Sequence, residues 1–62
     1  MTLDMAYDEA RELKTALEIR LVEMRGELAH TDDRAYREDL LRSLERLERV
    51  TERLGRTLLM AA

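Results

Sequence analysis

Three arrangements of side chains in the sequence have types and spacings that are relevant to chemistry. The first is Glu27 with His30, a Glu-x-x-His pair of the spacing that di-iron helical bundles use. Such a site also needs inward carboxylates from other helices, and the second half of the chain offers no acid at a core position. We therefore interpret His30 as a solvated turn residue, and we predict no metal site and no cofactor.

The second arrangement consists of carboxylate pairs such as Glu9 with Glu12, or Glu23 with Glu27, which have the chemistry for acid and base work. The sequence supplies no pocket around them and no nucleophile at a recognisable distance from a base. Ser43 is the lone serine, cysteine is absent, and no glycine-rich loop is present to hold a phosphate. We expect a protein that is not an enzyme, with no catalytic residue.

The third arrangement is a line of five arginines near the end of the chain, with spacings of four, three, four and three. On a helix these residues share one face, which is able to follow the phosphates of a nucleic acid. They are Arg42, Arg46, Arg49, Arg53 and Arg56, called here the arginine stripe. Glutamates precede three of the arginines by four residues, which favours ion pairs on a solvated face (Glu38 with Arg42, Glu45 with Arg49, Glu52 with Arg56). Polyanion contact is the alternative hypothesis.

Length and composition restrict the fold. The 62 residues fit a single domain covering residues 1–62, and the chain contains no proline or cysteine and has 14 acids against 11 bases. A chain this short buries little of its own surface, and without disulfides it is expected to gain stability by oligomerisation. The acidic balance argues against a polyanion as the default partner. No membrane span or signal-like start is recognisable, so we expect a cytoplasmic protein.

Hydrophobic periodicity predicts an all-α fold with two long helices. Apolar residues spaced by three and four define two stripes, one over about residues 3–29 (Leu3, Ala6, Ala10, Leu13, Leu17, Leu21, Met24, Leu28) and one over about residues 33–60 (Tyr36, Leu40, Leu44, Leu47, Thr51, Leu54, Leu58). The two stripes are out of phase, so a single unbroken helix would split its own apolar seam. The break is predicted at residues 30–33, where Thr31 or Asp32 would cap the second helix.

So short a connection makes the two helices antiparallel neighbours, which gives a helical hairpin. Its seam would then be lined by eleven residues: Leu13, Leu17, Leu21, Met24, Leu28, Leu40, Leu44, Leu47, Thr51, Leu54 and Leu58. Two hairpins related by a twofold axis would form a four-helix bundle, and we predict a homodimer. Small residues at the open end, Ala6, Ala10 and Gly55, would accept large side chains from the second copy. Thr51 has two interpretations, a hydroxyl bonded to its own helix or a polar residue that fixes the register.

The length, the short turn and the seam pattern resemble ROP, the RNA-binding plasmid regulator built as an antiparallel dimer of helical hairpins. The resemblance covers the whole chain and is architectural, because no residue motif is shared. It implies the dimeric hairpin shape. It does not transfer the function, since the first helix carries acids where an RNA-binding face would carry bases and an aromatic residue.

Apolar residues outside the two stripes are candidates for a partner surface, because such residues on a small monomer would form an exposed patch. They are Met5, Ile19, Val22, Leu41 and Val50. Three functions follow as hypotheses: a homo-oligomeric protein-interaction module such as an adaptor, regulator or small subunit; a nucleic-acid-binding regulator that uses the arginine stripe; and a helical piece that docks on a different protein without forming a homodimer.

Overall fold

The computed structural model describes residues 4–61, which form two helices and no strand. Helix α1 spans Tyr7–His30 and helix α2 spans Arg34–Ala61. Three residues, 31–33, connect them, and the helices pack against each other along their length. The predicted all-α hairpin with its turn near residues 30–33 is confirmed. Neither helix is long and apolar enough to cross a membrane in the part of the chain described.

The hydrophobic core of the hairpin lies in the half nearest the turn. Leu21 and Met24 of α1 pack there against Leu40 and Leu44 of α2, and Leu28 with Leu47 complete the cluster. The two alternating spacings of three and four place these residues on the facing sides of the helices, as the stripes predict. Burial of their side chains supplies the main stabilising contribution within one chain.

Thr51 is the one buried polar residue in the part of the chain described. Its hydroxyl donates a hydrogen bond to the carbonyl of Leu47, with an oxygen–oxygen distance of 2.7 Å. The back-bonded interpretation is therefore confirmed, and the hydroxyl is satisfied within its own helix. Such a group needs no partner from another chain.

The helix ends differ in detail from the prediction. Residues 4–6 are not helical, so α1 begins later than residue 3, and Leu3 lies outside the described residues. The backbone of Ala6 is extended, and its N–H donates to the Glu9 carboxylate at 2.9 Å, which forms half of a capping box. Glu9 thus fixes the start of α1 one turn downstream of the first apolar residues.

The N-cap of α2 is Asp33, and the predicted Thr31 or Asp32 is wrong. The Asp33 carboxylate accepts from the backbone N–H of Tyr36 at 3.0 Å. The backbone carbonyl of Asp33 accepts from the N–H of Arg37 at 2.9 Å. Thr31 instead terminates α1 with an extended backbone. Each of the three connecting residues is of a type that is able to cap a helix. Asp33 is the one directly before the first residue of α2, and it therefore forms the cap.

Replacing Asp33 with Ala should lower the free energy of unfolding by about 1 kcal/mol, because the backbone N–H of Tyr36 in the first turn would lose its charged acceptor. Urea denaturation followed by circular dichroism measures the loss. Asp32→Ala is the matched control, and we expect it to change stability by less than about 0.5 kcal/mol. Equal losses for the two variants would show that Asp33 is not the cap.

Candidate interaction surfaces

The hairpin is a single layer of helix, and its Cα atoms extend over 42 × 22 × 14 Å. Such a layer has two broad sides, and each helix also has an outer edge that faces away from its neighbour. With about 100° of rotation per residue, every side chain is assigned to the core, to one broad side or to an edge. Side-chain contacts between the helices show which residues share a side.

One broad side, called here the open face, is mostly apolar. The phenol of Tyr36 donates to the Glu27 carboxylate at 3.1 Å, which places these flanks of α1 and α2 on the same side. Residues at helical spacing from this contact complete the face: the N-cap residue Ala6 with Leu13, Leu17 and Arg20 of α1, and Ser43, Leu47, Val50, Leu54 and Ala61 of α2. None of these side chains is fully buried, and Val50 is 47% exposed.

The opposite broad side, the closed face, is covered by long polar side chains. Arg25 bridges to Glu48 across the helices at 2.9 Å, and Arg37 of α2 donates to the carbonyl of Leu28. Nearer the open end, the stem of Lys14 lies so close to Gly55 that a Cβ there would meet its Cε at 3.2 Å. Ala6, Ala10 and Gly55 were predicted to accept large side chains of a second copy. The space beside Gly55 is instead occupied by Lys14 of the same chain.

The eleven predicted seam residues fall into three classes of burial. Leu21, Met24, Leu40, Leu44 and Thr51 are buried, whereas Leu17, Leu28, Leu47, Leu54 and Leu58 are partly buried, and Leu13 is 37% exposed. The partly buried group includes three residues of the open face, Leu17, Leu47 and Leu54. Tyr36, which belongs to the second apolar stripe, is 49% exposed on the same face.

A polar cluster occupies the turn end of the open face. The Glu27 carboxylate accepts from Arg20 at 3.1 Å as well as from Tyr36, and Arg20 also lies 3.6 Å from Glu23. The hydrogen bonds from Arg20 and then Tyr36 lower the pKa of Glu27. The same carboxylate raises the pKa of Arg20 and of the Tyr36 phenol. All three groups satisfy one another within the chain.

The outer edge of α1 carries a second apolar row, called here the outer stripe, which points away from α2. It consists of Thr15, Ile19, Val22, Gly26 and Ala29, all of them exposed. Ile19 is 58% exposed and Val22 is 67% exposed. An added Cβ at Gly26 would meet nothing within 4 Å. The spacings of four, three, four and three resemble those of the core, so α1 is apolar on two faces.

The other three predicted partner-surface residues are separate from this stripe. Met5 precedes α1, and Leu41 lies at the α2 margin of the closed face, 42% exposed. Val50 belongs to the open face. The five residues therefore divide among several surfaces, and only Ile19 and Val22 lie together.

The arginine stripe occupies the outer edge of α2, and all five of its arginines are exposed. The predicted pair of Glu52 with Arg56 forms at 2.7 Å. The other two predicted pairs are wrong, because Arg42 bonds to Asp39 and Glu38 lies 3.5 Å from Arg34. Neighbours at three and four residues compete almost equally on an exposed helix. Within residues 4–61, no carboxylate lies within ion-pair distance of Arg46, Arg49 or Arg53.

His30 is the last residue of α1, and its side chain is exposed. The Nδ1–H donates to the carbonyl of Gly26 at 2.9 Å, which holds the ring against the last turn of its own helix. Glu27 is held by Arg20 and Tyr36. Residues 4–61 bring together no group of three metal-binding side chains.

Two features of the candidate surfaces are not found by the sequence reasoning. The first is the cluster of Arg20, Glu27 and Tyr36, although the seven-residue spacing of the arginine and the glutamate is a signal that they share a face. The second is the continuity of the outer stripe, which a search for large apolar residues misses because three of its members are small or polar. Thr15, Gly26 and Ala29 are recognised only when the exposed edge is viewed as a whole.

Comparison with protein-family models, with curated proteins and with solved structures gives no significant match. The resemblance to ROP therefore stays a prediction from helix length, turn and seam pattern.

The lowered pKa of Glu27 predicts how its contribution depends on pH. Its ordinary pKa is 4.5, and the folded value is lower. The carboxylate therefore stabilises the hairpin at pH values above 4.5, and this stabilisation is lost as the pH falls through the folded pKa. Glu27→Gln should melt at a lower temperature than the parent chain at pH 7, with the difference disappearing in acid.

Thermal unfolding by circular dichroism between pH 7 and pH 3 measures this effect. Glu45→Gln is the matched control, because Glu45 is exposed and makes no ion pair within the described residues. A difference between the parent chain and Glu27→Gln that stays constant over the whole range would contradict the assignment.

Proposed function

We propose that the chain is a non-enzymatic protein-interaction module that acts in the cytoplasm as a homo-oligomeric helical bundle, most simply a homodimer. In this role it is an adaptor, a regulator or a small subunit of a larger assembly. The open face is the self-association surface, and the outer stripe of α1 is the surface for a different protein.

The observation that carries this proposal is the excess surface of the single hairpin. Its accessible area is 5186 Å². A compact monomer of 7.3 kDa exposes about 4,200 Å² by the usual scaling with mass. The excess of about 1,000 Å² is comparable with the roughly 800 Å² that each partner buries in a standard protein interface. A second helical layer over one broad side would remove area of this size from water.

The chemistry of the two broad sides supports the open face as the surface that is covered. The closed face already carries a cross-helix ion pair and the stems of Arg37 and Lys14. The middle of the open face has partly exposed Leu17, Leu47 and Val50, and the charged group of Arg20, one turn from Leu17, is bonded to Glu27. Transfer of these apolar groups from water would stabilise association.

Val50→Glu should therefore convert the oligomer to monomers while the hairpin stays helical, because a carboxylate would have to be buried in the interface. Sedimentation velocity combined with circular dichroism measures both properties. Leu41→Glu is the matched control, since Leu41 is exposed to a similar degree on the same helix and lies toward the closed face. A folded parent chain that is monomeric at high micromolar concentration, or dissociation by Leu41→Glu alone, would refute the assignment.

Packing through the open face leaves the outer stripe accessible, because that row points away from α2 and lies on the edge of the layer. Ile19 and Val22 are the most exposed large apolar residues of α1. Exposed rows of this kind normally mark a protein contact. An amphipathic helix of another protein fits such a row, with its own apolar residues repeated every three or four positions.

The double variant Ile19→Glu with Val22→Glu should abolish capture of the native protein partner and leave the oligomeric state unchanged. The matched variant, Arg46→Glu with Arg53→Glu, changes the charge on the outer edge of α2 and should retain partner binding. Both are examined by pull-down from the host lysate, followed by sedimentation and circular dichroism of each variant. Loss of binding in the arginine variant alone would reverse the ranking of the two surfaces.

A nucleic-acid-binding regulator is the second candidate function. It is favoured by Arg46, Arg49 and Arg53, which make no ion pair within the described residues and leave a positive line on α2. Binding to DNA or RNA that weakens steeply with salt would support it. The third hypothesis, a piece that docks on a different protein without a homodimer, would be supported by a monomer whose helicity increases when a partner is added.

A further inference from the structure

We infer that two copies pack through their open faces in opposite directions, with the turn of each hairpin at the open end of the other, about a twofold axis that passes the middle of both helices. This inference rests on the proposed homodimer and adds its geometry. It specifies which side chains meet and which arrangements of two copies are excluded.

The first support is the symmetry of the row that α2 presents on the open face. This row consists of Tyr36, Ser43, Leu47, Val50, Leu54 and Ala61, with spacings of seven, four, three, four and seven. It is symmetric about the midpoint between Glu48 and Arg49. A second α2 running in the opposite direction about that midpoint would place every member of the row opposite another member.

The second support is the size of the residues that would then meet. Tyr36 would lie opposite Ala61 of the second copy, Ser43 opposite Leu54, and Leu47 opposite Val50. The two outer pairs each combine a large side chain with a small one, so the layer keeps a constant thickness. Alternation of large and small residues across facing helices is what close packing requires. The exposed ring of Tyr36 would gain a partner of suitable size.

The third support is that α1, together with its N-cap residue Ala6, has a row with the same centre. Ala6, Leu13, Arg20 and Glu27 follow each other at intervals of seven, and their midpoint lies between Ala16 and Leu17. Arg37 contacts the carbonyl of Leu28. The midpoint of the α1 row lies as many residues before Leu28 as the midpoint of the α2 row lies after Arg37. The two midpoints are therefore side by side in the hairpin. One twofold axis therefore serves both helices.

The charged residues of the open face are compatible with this packing. Arg20 would lie opposite Leu13 of the second copy, and its guanidinium is already bonded to Glu27 at 3.1 Å. Its methylene stem is able to cover the leucine while the charged group remains near the surface. Glu27 would lie opposite Ala6, which is small enough to leave both of its hydrogen bonds intact. No unpaired charge has to be buried.

Two other arrangements fit less well. Packing the hairpins in the same direction would place Ala6 beside Ala61 at one end and Tyr36 beside Glu27 at the other, so the layer would be thin at one end and thick at the other. Shifting the antiparallel pair to the next point of symmetry, about 3.5 residues away, would leave Tyr36 or Ala61 without an opposite residue. The register centred near Arg49 covers the whole row.

Distances between spin labels on the two copies test the geometry. The chain has no cysteine, so single substitutions Arg34→Cys, Arg42→Cys and Arg49→Cys each place one label on an exposed position of α2. With a rise of about 1.5 Å per residue, the inferred axis separates the paired labels along the helix by about 44, 20 and 2 Å respectively. The measured distance should therefore decrease in the order Arg34, Arg42, Arg49.

Pulsed electron paramagnetic resonance gives these distances, and the same labels in the Val50→Glu background should give no dipolar signal. Similar distances at all three sites would show hairpins that run in the same direction. A minimum displaced from Arg49 would show another register. Either result overturns the inferred geometry and keeps the homodimer, whereas a monomeric parent chain in sedimentation overturns the proposed function itself.

Discussion

The thickness of one helical layer is the constraint on which the rest of this molecule depends. Two helices cover each other along a single line, so a side chain is fully enclosed only where that line passes, as at Met24. A flanking residue such as Leu17 or Leu47 is covered by one helix and remains open toward a broad side. However well the two helices pack, the single chain cannot enclose these flanking leucines. Association is one of the ways in which domains of this size that lack disulfides gain stability.

The two broad sides of the layer meet this constraint in different ways. On the closed face, Arg25 with Glu48 and Lys14 over Gly55 use long polar side chains as a cover, at the cost of ordering them. Exposed ion pairs of this kind contribute only about 0.2–1 kcal/mol each, so they are a weak substitute for apolar burial. On the open face the comparable polar group is the cluster of Arg20, Glu27 and Tyr36. The asymmetry gives the hairpin one side suited to water and one suited to a second layer.

The fold could be predicted from the sequence because it depends on periodicity, which involves many residues at once. The jump in phase between the stripes located the turn, and no local contact was able to alter it. The cap at Asp33 and the ion pair of Arg42 with Asp39 were not predicted, because each depends on a choice between neighbouring groups of nearly equal energy. The exposed position of Tyr36 was also missed. Tyr36 lies at the margin of its stripe, where it satisfies the spacing and still falls outside the line of contact between the helices.

The unequal character of the two helices limits where a different protein can bind. Helix α2 is apolar toward α1 and strongly charged along its outer edge, so its outer surface is already well solvated. Helix α1 has apolar residues on two faces, and Ile19 with Val22 gain nothing from α2 or from a copy seated on the open face. Gly26, beside them, weakens a helix by about 1 kcal/mol relative to alanine and has no neighbour in the hairpin that requires its small size. A helix of another protein, approaching closely along this edge, would account for both the exposed apolar pair and the glycine.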